Sequence, residues 1–474
     1  MAKAIFTMPV GLRYMAIERE DCVLACLLSM VSTLFHMWAL LRPPLIPGMD
    51  GPYYLIQVES ILRGEGMVYG DPPLLFYLSA FASILLGDSR LGVSVVTALL
   101  CGLSAAPAYL LVKFLRDSRV AAVTAGITVA VSPHMVRMAC DLMKNASGIT
   151  FILLTVMFTH LYLVGGSGFC LPIAIASGYL AFLTHSLDYA YTLLYLLSYT
   201  IAGTIISRSR KSYALSCLTI LIPLISSSII TAIVLPQYFS DVRKGVAFLE
   251  DLLGVRRKAP IRPPPKPPPT PQAPPPLLAP PPQSPLSPIF SLSFMIAGIL
   301  MLGEAIRREW GTAKPGESLL LSSSLVAGAA GITPTLLGLR EWAWRFALME
   351  LIPVSLIAGL LVSRARDRLT QLAISALITI TIVAQALWMA QGVRPSIPYE
   401  GYLDLVELRE VIPKNSPYVI HCRISRYWPE YVLGWPPGGK PEYVIECLGS
   451  RLPTLRARLV YRGRFLVLLR VEGH

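Results

Sequence analysis

Charged residues are scarce in this chain. Asp, Glu, Lys and Arg make up 15% of its 474 residues and hydrophobic residues 54%, whereas soluble proteins contain about 25% charged residues. This composition excludes an ordinary soluble domain. The chain instead contains many near-continuous apolar runs of about 20 residues, which are typical of helices that cross a bilayer. The runs lack a period of two, so a membrane β-barrel is excluded as well.

The sequence also lacks the Cys and His spacing of a metal site. Of its eight cysteines, six lie in or beside apolar runs, where they act as small apolar residues. Cys422 and Cys447 fall in the polar C-terminal segment, and whether they form a disulfide is left open by the sequence. The net charge of +13 arises mainly in short loops, which follows the positive-inside rule. The charge therefore does not indicate a nucleic-acid partner.

The apolar runs predict an all-α polytopic membrane protein with about eleven transmembrane helices. The predicted spans are 22–41, 91–112, 119–135, 147–164, 169–187, 189–207, 213–235, 289–306, 318–338, 346–363 and 369–390. Residues 74–86 are left out because about 13 residues are too short to cross a core of about 30 Å at 1.5 Å per residue. We predict that this segment and the amphipathic segment 50–64 form two interfacial helices.

The distribution of basic residues supports this topology. With a cytoplasmic N-terminus, the inner loops carry the clusters that begin at Lys113, Arg208, Arg307 and Arg364, whereas the short outer loops carry few cations. A further span at 74–86 would reverse every later span and place these clusters outside. We therefore predict a multi-pass protein of the cell membrane, with its acidic loops and its C-terminal segment on the outer face.

The chain divides into four parts. Residues 1–235 form a membrane module with the outer loop 42–90, and residues 289–391 form the C-terminal membrane helices. Between them, 236–288 is an external loop in which residues 259–288 include 16 prolines, a composition that favours extended polyproline structure over packing. Residues 392–474 alternate apolar stretches with turn residues and predict a small external α/β domain.

Asp50 is the most informative residue. It lies in Gly48-Met49-Asp50-Gly51-Pro52-Tyr53-Tyr54, directly after the first apolar run, and ionisable residues near a membrane are functional candidates because they are costly there. A second acidic segment, Asp141-Leu-Met-Lys144-Asn145, follows another apolar run. Both carboxylates fall on the outer face, so the sequence indicates a catalytic site at the water interface.

These motifs, in this order, resemble the GT-C superfamily of membrane glycosyltransferases, which includes oligosaccharyltransferases, protein O-mannosyltransferases and lipid A aminoarabinose transferases. Asp50-Gly-Pro-Tyr-Tyr-Leu is similar to the first outer loop of the family, and Asp71-Pro-Pro-Leu to its second juxtamembrane helix. Asp141 is similar to the second acidic motif, and Arg345-Phe346 to part of a later helix. The chain has no Trp-Trp-Asp motif, which argues against transfer to an Asn sequon.

The resemblance implies a hexosyl or pentosyl transferase. Such an enzyme moves a sugar from a polyprenyl-phosphate or polyprenyl-pyrophosphate donor to a lipid, protein or glycan acceptor, among membrane lipids at the outer face. Activation of an acceptor needs a carboxylate, and the donor phosphate needs cations. Asp50 and Asp141 are the predicted catalytic residues. We further expect that the same two carboxylates could hold a divalent cation, Mg or Mn. The predicted substrate-binding residues are Lys144, Arg345, Tyr53, Tyr54, His185 and Trp344.

Each assignment has a structural alternative. Asp50 has the position of a helix N-cap, and Asp141 could pair with Lys144 three residues on. Lys144 itself could snorkel to the interface. The remaining alternatives are an aromatic-belt anchor for Arg345 and for Trp344, interface anchoring for Tyr53 and Tyr54, a helix cap for Asp71, a capped helix end for His185 and Asp188, and a solvated side chain for Glu59.

Two other classes of protein compete with the enzyme. A transporter or flippase for polyprenyl lipids would show internal repeats, broken helices and charges near the membrane midplane, and no such repeat is present in the sequence. A membrane scaffold that presents the C-terminal domain would leave the outer carboxylates far apart, without a common cavity.

Overall fold

A computed structural model describes residues 17–239, 250, 287–312, 315–422, 424–434, 440–448 and 457–472. Most of the predicted Pro-rich loop lies outside these residues. The helices of the membrane module are α1 (Arg19–Leu41), α2 (Gly51–Leu62), α3 (Leu74–Leu86), α4 (Ser89–Leu103), α5 (Ala105–Arg116), α6 (Arg119–Ala130), α7 (Pro133–Asp141), α8 (Met143–His160), α9 (Cys170–Thr184), α10 (Ser186–Ile206) and α11 (Arg210–Val234). A π-helical turn, Leu161–Gly165, extends α8, and a short 3-10 turn, Pro236–Tyr238, follows α11.

The remaining elements complete the membrane part and form the C-terminal domain. They are α12 (Ser287–Glu309), α13 (Glu317–Leu336), α14 (Arg340–Met349), α15 (Leu351–Val362), α16 (Arg368–Gln391), α17 (Tyr399–Val411), β1 (Tyr418–Ile420), α18 (Tyr427–Leu433), β2 (Tyr443–Cys447), β3 (Ala457–Arg462) and β4 (Leu466–Val471). Within the described residues, nine helical segments are long and apolar enough to span a membrane. The predicted polytopic helical fold with a small α/β domain is therefore confirmed.

The predicted spans differ from the helices in detail. Span 91–112 corresponds to α4 and α5, which meet at Ser104 in one apolar segment, Ser89–Arg116, of 28 residues. Span 119–135 likewise corresponds to α6 and α7. The span 169–187 is the shorter helix α9, with 15 residues. Hydropathy detects the apolar run but not the local break inside it, because a break changes the backbone without changing the composition.

Helix α3 has the bounds that the sequence predicts. It contains 13 residues and packs against α4, where a Cβ on Gly92 would overlap the backbone and side chain of Ser83. The other face of α3 exposes large apolar side chains such as Phe81, Ile84 and Leu85. A short helix with one packed face and one bare apolar face is typical of a helix lying in the membrane interface.

The basic clusters meet at one end of the bundle. Glu317, at the start of α13, is buried and accepts hydrogen bonds from Arg116, Arg308 and Arg364. At the same end Arg119 pairs with Asp21 at the start of α1, with Nε 3.1 Å from the carboxylate. The helices then alternate so that α1 ends, α7 ends and α8 begins at the opposite end, which carries Asp50 and Asp141.

The C-terminal domain contains a four-stranded sheet in the order β1-β2-β4-β3. Strands β1 and β2 are parallel, and the β2–β4 and β3–β4 pairs are antiparallel. Residues on one face, such as Ile445, Leu466 and Leu468, are fully buried and join the core that includes α2 and α3. The sheet is therefore packed continuously with the acidic end of the membrane bundle.

A disulfide joins Cys422 to Cys447 at the end of β2. It closes a separation of 25 residues, and cross-links of this length stabilise a fold by about 3 kcal/mol. We expect the variant C422S/C447S to lower the unfolding free energy of the C-terminal domain by about this amount, measured by denaturant unfolding with and without reductant. Equal stability of the oxidised wild type and this variant would contradict the prediction.

Candidate active site at the acidic end

The Asp50 loop is clamped between two distant parts of the chain. Gly48 N donates to the Arg394 carbonyl at 3.0 Å, and Met49 N donates to Asp141 Oδ1 at 3.2 Å. Gly48 has a φ of 84°, and a Cβ at this position would overlap the Cys140 carbonyl oxygen. A glycine is required here on both counts. The loop therefore brings the first acidic motif against the second, across 92 residues of sequence.

Asp50 is the N-cap residue of α2, but its side chain makes no capping hydrogen bond. The structural alternative, in which Asp50 is needed as a cap, therefore lacks the contact that defines one. The carboxylate is half-buried, and its charge reaches the hydroxyl of Tyr54. The fold fixes the position of Asp50, but its carboxylate does not serve as a helix cap.

Asp141 pairs with Arg137 and not with Lys144. Arg137 Nε lies 2.8 Å from Asp141 Oδ2, and both side chains are 12% exposed. The structural alternative of a local pair with Lys144 is wrong because α7 ends at Asp141 and Leu142 leaves the helical conformation, with φ −132° and ψ 55°. Lys144 belongs to the next helix, so the i,i+3 rule for one continuous helix does not apply.

Lys144 pairs instead with Asp71, which comes from the loop before α3. The Lys144 ammonium also lies 5.7 Å from the ring centre of Tyr53 and 5.8 Å from that of Phe76, a cation–π arrangement. Asp71 is 4% exposed, and the N-cap of α3 is Pro73, without a side-chain cap. The prediction that Asp71 caps this helix is therefore wrong.

Both predicted tyrosines are packed inside the protein. The Tyr53 hydroxyl donates to Asp71, and the Tyr54 hydroxyl accepts from Lys144 N at 3.2 Å. Burial raises the pKa of Tyr54, and the charges of Asp50, Asp71 and Asp188 raise it further. Tyr54 therefore stays neutral at physiological pH, within range of the charges of these three carboxylates.

His185 caps helix α10. Its Nδ1 accepts from Leu187 N at 3.2 Å and from Asn145 Nδ2 at 3.0 Å. The structural alternative for His185 as a capped helix end is thus present in the structure. The same contacts attach the start of α10 to the residue that follows Lys144, so His185 lies beside the acidic cluster.

Arg345 and Trp344 lie on α14, which packs against α7. The Arg345 guanidinium carbon stands 5.2 Å from the ring centre of Trp344. Arg345 Nε is buried, and in the described part of the chain it has no hydrogen-bond partner. Arg345 is thus held beside the helix that carries Asp141, with donor capacity left for an anion.

The C-terminal domain covers α2, which the sequence places at an open interface. Tyr431 donates to Glu59 Oε1 at 2.6 Å, and Tyr69 donates to Glu430 Oε2 at 2.5 Å. The ring of Tyr427 packs 5.2 Å from that of Tyr53. Burial, followed by the hydrogen bond to Glu59, raises the pKa of Tyr431. Glu59 is therefore a docking residue and not the solvated side chain that the sequence suggests.

The acidic residues fit a metal ion poorly. Asp141 already has Met49 N on one oxygen and Arg137 on the other, and within the described residues no three His, Cys, Asp or Glu side chains converge as metal ligands do. The expected Mg or Mn ion at Asp50 and Asp141 stays an untested prediction of the sequence.

The hydrogen-bond donors around Asp141 predict how the protein responds when EDTA removes divalent cations. Because Asp141 is fully engaged by protein donors, we expect the sugar transfer that the sequence resemblance implies to change less than about twofold in rate when EDTA removes divalent cations. The measurement is the transfer rate of the purified protein before and after EDTA, with added Mg or Mn as the reference. Loss of transfer with EDTA, restored by either ion, would show that a metal site forms after all.

Sequence reasoning missed Arg137 and underestimated Asp71 and Asp188. Arg137 precedes Asp141 by four residues on one helix, and this i,i+4 spacing was a signal that could have found the pair. For Asp71 no local signal exists, because its partner Lys144 is 73 residues away.

The fold and the site together define a multi-pass membrane protein whose acidic end is covered by an α/β domain. The family model described as dolichyl-phosphate-mannose-protein mannosyltransferase matches residues 70–230, about a third of the chain. The solved structure of ArnT from Cupriavidus metallidurans in the apo state is 14% identical, covers 95% of this chain and 98% of its own, and gives a TM-score of 0.51. The structure of the same protein bound to undecaprenyl phosphate is also 14% identical. It covers 94% of this chain and 97% of its own, with a TM-score of 0.49.

No curated protein sequence matches the chain. At 14% identity the likeness to apo ArnT shows the fold, and the family model matches a third of the sequence, within its N-terminal half. The chain therefore has the fold of ArnT, as the resemblance of its motifs to membrane glycosyltransferases leads us to expect.

Proposed function

We propose that this protein transfers a sugar from a polyprenyl-phosphate or polyprenyl-pyrophosphate donor to an acceptor at the outer face of the membrane. The observation that carries the proposal is the contact between the two acidic motifs. Met49 N, next to Asp50, is bound by Asp141, and Asp50 itself makes no capping bond. The Asp50 carboxylate therefore does not serve as a helix cap, and the neighbouring Asp141 positions its loop.

Asp50 is the proposed general base. A carboxylate can accept a proton from an acceptor hydroxyl or amine as that group attacks the anomeric carbon of the donor, while the donor phosphate departs with its electron pair. Asp141 is the proposed second carboxylate, which holds the Asp50 loop through Met49 N and is itself held by Arg137. Arg345 is the proposed ligand of the departing phosphate, since its Nε lacks a partner in the described residues.

The donor class is supported by the family description and by the shape of the acidic end. The matching family model names a dolichyl-phosphate sugar, and a polyprenyl donor needs a site that a lipid can reach. Helix α3 exposes an apolar face beside Asp71 and Lys144, which suits a lipid tail next to a polar headgroup. The outer-face orientation follows from the basic residues at the opposite end.

The test uses the full-length protein reconstituted in lipid nanodiscs. A radiolabelled polyprenyl-phosphate sugar is supplied together with a panel of lipid, peptide and glycan acceptors, and the label is followed from donor to product. Transfer to one acceptor class is the expected result. Movement of the labelled donor between the leaflets of proteoliposomes, without cleavage of the sugar–phosphate bond, would instead show a flippase and overturn the proposal.

A further inference from the structure

The carboxylate of Asp188 is buried and accepts no hydrogen bond from the residues that the structure describes. Its exposed fraction is 0%, and neither carboxylate oxygen has a hydrogen-bond partner in the described part of the chain. Asp188 is the third residue of α10, from which an acidic side chain often bonds back to the N-cap backbone. The side chain of His185 caps this helix instead, so Asp188 has no capping role.

The Asp188 carboxylate points at α8. A Cβ on Gly148 would overlap the carboxylate of Asp188, so this group occupies the space of a missing side chain. Lys144 precedes Gly148 by four residues, and residues with this spacing lie on the same face of a helix. Lys144 is also the cation whose charge acts on Asp188. Lys144 and, one turn further along, the Asp188 carboxylate of α10 therefore lie at the same face of α8.

His185 does not supply the missing donor. Its Nδ1 lies 3.9 Å from Asp188 Oδ2, but that nitrogen already accepts from Leu187 N and from Asn145 Nδ2. A ring nitrogen that accepts carries a lone pair and no proton, so these bonds assign the proton to Nε2. A buried carboxylate without a hydrogen-bond partner is costly, and Lys144 is the cation whose charge acts on Asp188.

We propose that Asp188 is a positioning residue that acts through Lys144. The ammonium has three N–H donors on a flexible four-carbon stem, and it is bonded to Asp71 in this conformation. When a substrate hydroxyl or amine engages Asp71, Lys144 moves to Asp188, about 6 Å further along α8 at 1.5 Å per residue. Asp71 then stays with Tyr53 and accepts from the substrate. The substrate in this inference rests on the proposed function, whereas the movement of Lys144 is inferred from the geometry alone.

The direct test is the structure of the full-length D71N variant in nanodiscs. Asparagine keeps the shape of Asp71 but removes the charge that holds Lys144. We expect the Lys144 ammonium to lie within hydrogen-bond distance of an Asp188 oxygen in this variant. Lys144 that still points at residue 71, or that reaches the lipid interface, would overturn the inference. This readout does not depend on transfer activity, so it judges the inference separately from the proposed function.

A second variant tests the same movement by kinetics. G148A places a methyl group where the Asp188 carboxylate lies, so Asp188 is displaced and Lys144 is confined to Asp71. Because misplacement of a positioning group by about 1 Å costs about 100-fold in rate, we expect kcat to fall by about that factor. The donor KM should change less than about twofold, because an interaction made only in the transition state lowers kcat alone.

The matched control is G168A, since a Cβ on Gly168 meets no atom within 4 Å. It should keep wild-type kcat and KM. Wild-type kinetics in G148A would overturn the inference, and so would a rise in KM with kcat unchanged. If wild-type protein transfers no sugar from any donor, the proposed function fails, and the position of Lys144 in D71N still decides this inference.

Discussion

The variant D50N should lose nearly all transfer activity. A positioned general base contributes about 10² to 10⁴ in rate, and we expect kcat to fall by at least the lower of these factors. Asparagine matches aspartate in size and is an equally good N-cap, so α2 should keep its structure and the protein its unfolding temperature. The measurement is transfer of a radiolabelled sugar from the polyprenyl-phosphate donor, with unfolding followed in the same preparation.

The control for D50N is D88N. Asp88 is the N-cap of α4, its side chain accepts from Leu91 N at 2.6 Å, and it is exposed. The two variants therefore make the same chemical change at two N-caps, of which only Asp50 faces the acidic cluster. D88N should transfer sugar at the wild-type rate. Wild-type transfer by D50N would exclude Asp50 as the base.

The variant K144M should be strongly destabilised. The side chains of Lys144 and Asp71 are 11% and 5% exposed, and removing one partner of a buried ion pair costs about 3–5 kcal/mol, because it strands the other charge. Methionine keeps the volume of the lysine stem, so the loss reports the charge. The measurement is the free energy of unfolding in detergent, from denaturant titration of the purified protein.

Two further variants define the origin of the effect. Adding D71N to K144M removes the stranded charge of Asp71 and should recover part of the loss. R63M is the exposed control: Arg63 pairs with Glu65 at 3.1 Å, with side chains 56% and 59% exposed, and such pairs contribute about 0–1 kcal/mol. A K144M protein as stable as R63M would show that the Lys144–Asp71 pair does not contribute to the stability of the protein.

The sequence predicts the membrane fold well because the evidence is spread over many residues. Each apolar run contains about 20 of them, and the positive-inside rule sums cations over all the loops. An error at one residue changes neither the predicted spans nor their predicted orientation. The length of 74–86 excludes it as a span, the sum of basic residues supports that exclusion, and the structure has a 13-residue helix there.

The pairing of the site residues could not be predicted in the same way, because each pair depends on one backbone break or one long-range contact. Leu142 separates α7 from α8 and directs Lys144 away from Asp141. Asp71, in the loop before α3, meets Lys144 at the start of α8 across 73 residues of sequence, and no local pattern records that contact. The sequence therefore indicates which acidic motifs share one end of the bundle, but not which cation belongs to which carboxylate.

Helix α2 connects the C-terminal domain to the proposed base. It has 12 residues, a rigid rod of about 18 Å, with Asp50 at one end. Further along it, Glu59 is bound by Tyr431. The docking contact of the C-terminal domain and the proposed base therefore belong to one helix. Any shift in how this domain docks would move Asp50 with it.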